Sequence, residues 1–85
     1  MAWRFKVAQK TKQPDEGTLT LAVEFYDAAD ATKTPIVRRD FTFPAYMTTA
    51  LIQGEIKQEG LKELTRRDAT EALAAQIPDN YDAAV

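Results

Sequence analysis

The segment Thr18–Phe25 alternates without a fault: Leu19, Leu21, Val23 and Phe25 fall on one face of an extended chain, and Thr18, Thr20, Ala22 and Glu24 on the other. A period of two excludes an amphipathic helix here and predicts a half-buried strand over residues 18–26. Such a strand needs hydrogen-bonding neighbours on both edges and a cover over its apolar face. The flanking sequence is therefore read for two further strands and for helices.

Trp3-Arg4-Phe5-Lys6-Val7 supplies the first neighbour, with Trp3, Phe5 and Val7 in phase and Arg4 and Lys6 between them. It predicts a strand over residues 3–8. The polar run Gln9–Gly17, ending in Pro14-Asp15-Glu16-Gly17, reads as a long hairpin loop, because proline presets a turn dihedral and glycine accepts positive φ. Asp27–Thr34 is a second loop, after which Pro35 introduces a third strand over about residues 36–43. Val37, Phe41 and Phe43 share one face there, while Ile36, Arg38, Asp40 and Thr42 share the other. Arg39 falls on the apolar face. A bulge would reset the register at that point; an edge strand would let Arg39 lay its stem over the core and keep its head in water. The edge is preferred, since inward charges protect open edges.

Pro44 ends the strand, and Thr48 or Thr49 is placed to cap a helix carrying Leu51, Ile52 and Ile56. Gly60 reads as its left-handed stop, with 61–64 as connector. Thr65-Arg66-Arg67-Asp68 matches a capping box, which predicts a second helix over 66–77 with Ala69, Leu73 and Ile77 inward and Pro78 as terminator. One kinked helix over 49–77 is the competing reading. The fold class expected is thus α+β: a three-stranded antiparallel β-meander with two C-terminal helices on one face. Residues 1–78 form a single domain and 79–85 a mobile tail. The expected core joins Trp3, Phe5, Val7, Leu19, Leu21, Val23, Phe25, Val37, Phe41 and Phe43 to Leu51, Ile52, Ile56, Leu64, Leu73 and Ile77.

At 85 residues, such a domain lies near the lower limit at which one core offsets chain entropy, so association with another chain is expected. Eleven basic and thirteen acidic residues leave a net charge of −2, which gives no global attraction to nucleic acid or to an anionic membrane. The basic groups are weighted to the sheet half and the acidic ones to the helical half. No apolar run approaches a membrane span, and the N-terminus has no signal-peptide core. The expected location is the cytoplasm.

The chain contains no cysteine, histidine or serine, which removes disulfides, thiolate and imidazole metal ligands, and the ordinary nucleophile and base pairs. Its three glycines are too scattered to cradle a phosphate. Asp27-Ala-Ala-Asp30 is the nearest approach to a cation loop, but it lacks alternating ligands and a central glycine; a turn with two local hydrogen-bonding aspartates is the preferred reading. No catalytic residue, cofactor or metal site is expected. The candidate interaction residues are Arg4, Lys6, Tyr26, Arg38, Arg39 and Gly54. Arg4, Lys6 and Tyr26 on the outward sheet face, with the pairs Arg38-Arg39 and Arg66-Arg67, could offer basic groups and an aromatic ring to nucleic acid. Glu24 and Asp40 share that face, so cross-strand ion pairing on a solvated sheet is preferred. Gly54 costs a helix about 1 kcal/mol relative to alanine, which invites close approach by the sheet or by a second chain, with a tolerated surface glycine as the equal alternative.

Taken together, the basic first strand, the Leu-Thr-Leu-Ala-Val-Glu-Phe-Tyr-Asp second strand, Arg-Asp-Phe-Thr-Phe in the third and the threonine-started helix resemble small proteins encoded by tailed bacteriophages. The pattern spans Trp3 to Ile56. The resemblance implies a non-enzymatic accessory or assembly role in the host cytoplasm or the virion, with a protein partner or further copies of the chain. The alternative is a nucleic-acid-binding or host-factor-inhibiting module acting through the outward basic residues.

Overall fold

Three antiparallel strands in the order β1-β2-β3 and one long helix make up the computed structural model, which describes residues 2–85. β1 spans Trp3–Gln13, β2 Thr18–Asp27, β3 Val37–Pro44 and α1 Thr49–Gln76. The chain is α+β, with one helix where two were expected. β2 is the central strand and pairs with both neighbours along its length. Its apolar face supplies Leu21, Val23 and Phe25 to the core, which Phe43 and Ile56 complete, with Trp3, Phe5, Leu19, Val37, Phe41, Met47 and Ile52 packed around them.

β1 runs five residues beyond the expected end at residue 8, so the hairpin connection shrinks to Pro14–Gly17. A bulge explains why the extension was hidden. Val7 pairs with Val23 but Gln9 with Ala22, so Ala8 is the extra residue and the faces exchange after it. Gln9, Thr11 and Gln13 then continue the face of Arg4 and Lys6, and Lys10 and Lys12 turn to the helix side, in register with Leu21 and Leu19. Polar groups on both faces leave no apolar alternation to read. In its place is a hydrogen-bonded patch: Gln13 Nε2 donates to Thr20 Oγ1 at 3.0 Å, Thr18 Oγ1 donates to Gln13 Oε1 at 3.0 Å, and Thr20 and Thr42 join hydroxyls at 2.9 Å. Gly17, at φ +67°, closes the turn, and its carbonyl accepts from Ala45 N at 2.8 Å, tying the end of β3 to the hairpin.

α1 starts where Thr48 Oγ1 accepts from Leu51 N at 3.3 Å, and it passes through Gly60 and Thr65 without interruption. Neither stop signal acts as one. Gly60 stays helical and buried, and a β-carbon there would come within 2.6 Å of Phe25 Cε1. The residue is glycine because the helix lies directly on that ring. The capping-box residues sit mid-helix, and ion pairs bind the turns on either side: Glu59–Lys62 at 3.3 Å, Glu63–Arg67 at 3.9 Å, and the Glu63–Arg66 contact.

One uninterrupted helix of 28 residues does not fold back over the sheet. It crosses the apolar face from the Pro44 end towards Trp3, where the Arg67 guanidinium lies 5.8 Å from the indole centroid, and then leaves the sheet behind. From Thr65 onward every described residue is exposed. Leu51, Leu73 and Ile77, expected in the core, are 59%, 57% and 54% exposed, while Ile56 is only 1% exposed. The molecule measures 62 × 33 × 19 Å, and residues 78–85 carry neither helix nor strand.

Candidate functional site

The sheet face away from the helix collects four of the six candidate residues. Arg4 stands opposite Tyr26, and Lys6, Glu24 and Arg38 form one cross-strand row. Glu24 thus lies between two cations, with Lys6 Nζ at 3.8 Å. Lys6 also donates to the carbonyl of Lys33 at 2.9 Å, and its ammonium sits 5.9 Å from the Tyr26 ring centroid. Tyr26 is only 5% exposed. Its ring is a packing surface for the chain's own lysine, with no open face on which a base could stack.

Arg39 belongs to the other face. β3 carries no bulge, and Arg39 keeps its place opposite Val23 on the helix side. It lies on an edge strand, and its guanidinium reaches along the helix to donate to Glu63 Oε1 at 2.7 Å. Glu63 also takes Arg66, and Arg67 at 3.9 Å. The Arg66 hydrogen bond chiefly, with the charges of Arg39, Arg66 and Arg67, holds its carboxyl below the usual range. Gly54 sits on the solvent face of α1, where a β-carbon would meet nothing within 4 Å. The chain's own sheet therefore gives no reason for this glycine.

The Asp27–Asp30 loop is committed to its own backbone. Asp27 Oδ1 accepts from Ala29 N at 2.9 Å, and Asp30 Oδ1 accepts from Thr32 N at 2.9 Å and Thr32 Oγ1 at 2.6 Å. Asp30 Oδ2 accepts from Thr34 N at 3.1 Å. The Thr32 hydroxyl and these amides lower the Asp30 pKa. Among the described residues no group of three acidic side chains is arranged to hold a metal ion, and no helix is long and apolar enough to cross a membrane.

Because one helix runs along the middle of the apolar face, a groove is left on each side of it. The β1-side groove is lined by Trp3, Phe5, Phe25, Leu61, Leu64 and Lys57. Val7, 44% exposed, continues its apolar edge, and Lys10 and Lys12 follow on the same face. The β3-side groove sets Phe41, Phe43 and Met47 against Glu55, Glu59 and Glu63. Lys10 and Lys12 were not among the sequence candidates, since only the Ala8 bulge brings them to the helix side. Comparisons with protein-family models, curated proteins and solved structures give no match to this chain.

Proposed function

We propose that this protein is a non-catalytic interaction or assembly module. The observation that carries the reading is its shape. The radius of gyration is 17.6 Å, against about 12 Å for a compact domain of this length. Accessible surface is 6626 Å², against roughly 5,000 Å² for a globular monomer of the same mass. A chain this small has little core to spare, yet it extends the second half of α1 into solvent with Leu73 and Ile77 uncovered. That arrangement suits a partner that supplies the missing cover.

The likeness of Trp3–Ile56 to small tailed-phage proteins narrows the proposal to an accessory or virion-associated role in the host cytoplasm. The outward basic residues are less suited to nucleic acid, given Glu24 between Lys6 and Arg38 and the buried Tyr26 ring. Gentle purification of the tagged chain from its own cells, followed by nuclease treatment and size-exclusion chromatography, tests the reading. A nuclease-resistant complex of fixed protein stoichiometry supports it. Elution as a free chain, or a complex that nuclease dissolves, overturns it.

A further inference from the structure

The sheet-facing line of α1, Ile52, Ile56, Gly60, Glu63 and Arg67, continues at the same three- and four-residue spacing through Thr70, Ala74 and Ile77. Those three positions are uncharged and exposed, and Thr70 Oγ1 already donates to the Arg66 carbonyl at 2.9 Å. The helix therefore presents a face suited to a sheet after its own sheet has ended. Resting on the interaction reading above, we infer that the overhang is the docking element of a two-fold dimer of this chain. Residues 68–82 of each copy lie along the β1-side groove of the other. Thr70, Ala74 and Ile77 cover the partner's apolar edge of Trp3, Phe5 and Val7, and Asp79 and Asp82 face its Lys10 and Lys12.

Charge singles out a second copy as the occupant. No acidic residue precedes Asp15, so β1 carries Arg4, Lys6, Lys10 and Lys12 unopposed within its own strand. No basic residue follows Arg67, so the chain ends with Asp68, Glu71, Asp79 and Asp82. Within one chain Asp79 and Asp82 do not meet Lys10 and Lys12, because α1 runs out past Trp3 while Lys10 and Lys12 lie at the hairpin end. A two-fold axis beside the Trp3 end reverses the direction of the second helix. Its overhang then travels from Trp3 towards the hairpin, meeting apolar residues first and lysines afterwards, in the order of its own Thr70–Ile77 and Asp79–Asp82.

Length and area agree with this arrangement. Thr70 to Ile77 spans about 11 Å as helix, and Trp3 to Val7 about 13 Å as strand. The surface in excess of a globular monomer is roughly 1,600 Å² per chain, about twice what a standard interface takes from each partner. Pairing of bare strand edges is the poorer alternative, since the Ala8 bulge breaks the β1 edge, and Arg38, Arg39 and Pro44 occupy β3.

A charge-swap experiment on the full chain tests the inference. In sedimentation equilibrium the wild type is expected to be a dimer that weakens as salt is raised. Lys10→Glu with Lys12→Glu sets four acids against one another at each of the two contacts of the homodimer, and Asp79→Lys with Asp82→Lys sets four bases at each; each double variant is expected to dimerise at least about tenfold more weakly. Mixing the two variants restores complementary charge at both contacts, so the mixture is expected to recover the dimer. Ile77→Glu should also weaken the dimer while leaving the circular dichroism spectrum of the dilute chain unchanged. A wild type that stays monomeric to millimolar concentration overturns the inference, and the interaction reading then stands or falls on the purification experiment alone. A dimer that ignores both swaps, or a mixture that does not re-form it, assigns association to another surface and overturns the inference as well.

Discussion

The two halves of α1 share one continuous hydrogen-bonded backbone but occupy different environments. Over residues 49–64 the helix has a sheet beneath it: Ile56 is buried, Gly60 rests on the Phe25 ring, and Glu63 takes Arg39 from β3. Over residues 65–76 its one ring contact with the sheet among the described residues is Arg67 against Trp3, and its leucine and alanines face water. Helix propensity and intrahelical ion pairs carry the helix across the boundary, although most helical stability in proteins comes from packing of an apolar face. The same kind of residue therefore has a very different energetic weight in each half.

The sharpest way to break this comparison is one substitution made twice. Ile56→Asp places an unpaired carboxylate in the core and is expected to abolish the cooperative thermal transition. Leu73→Asp at a dilution that keeps the chain monomeric is expected to leave the midpoint nearly unchanged. Equal losses would show that the distal half packs against something within its own chain.

The two glycines give the next largest contrast, of opposite sign. Gly60→Ala puts a methyl group 2.6 Å from Cε1 of Phe25, a ring that is 3% exposed and set against Trp3 and Phe5, so a loss of about 1–3 kcal/mol is expected in urea unfolding. Gly54→Ala meets open space, and the dilute chain should gain up to about 1 kcal/mol from helix propensity. A gain at both positions would mean that the helix does not seat on Phe25.

Thr65→Ala is a smaller test of continuity through the boundary. In mid-helix on the solvent side, alanine should be neutral or stabilising by a few tenths of a kcal/mol. A loss near 1 kcal/mol, the usual value of an N-cap, would restore a helix start at this position.

The smallest effect is expected from Glu63, the last acidic anchor before the overhang. Its folded pKa lies below the ordinary glutamate value of 4.5, chiefly through the Arg66 hydrogen bond. Its contribution is therefore complete above the unfolded pKa and is lost as pH falls through the lower folded value. Glu63→Gln should flatten that part of the acid limb of a stability-against-pH curve and leave the slope above pH 6 unaltered. A change confined to neutral or alkaline pH would assign the pairing to other groups.

Much of the sheet was legible in the residues themselves. Strict alternation in Thr18–Phe25 and Trp3–Val7 set strand type and inward face, because side-chain direction in a strand depends only on parity. Pro35 and Pro44 bracketed β3 for the equally local reason that proline lacks a donor. Arg39 was readable as an edge-strand charge, though its partner Glu63 was not. Arg4, Lys6 and Arg38 were placed on the outward face correctly, whereas the burial of Tyr26 depends on a lysine from another strand lying across it. Absence of cysteine, histidine and serine likewise narrowed the chemistry from composition alone.

What tertiary structure alone decided were the features set by neighbours distant in sequence. Gly60 carries the same local signal whether it ends a helix or fits one onto a ring, and only Phe25, thirty-five residues away, selects between them. Thr65-Arg66-Arg67-Asp68 is a valid capping box that the continuing helix leaves unused, since an uninterrupted run of backbone hydrogen bonds needs no cap. The Ala8 bulge has no residue signature of its own, yet it determines that Lys10 and Lys12 share a face with the core. The length of the sheet beneath α1 determines that Leu73 and Ile77 do not reach that core, because a helical period specifies which residues share a face and leaves open what that face meets.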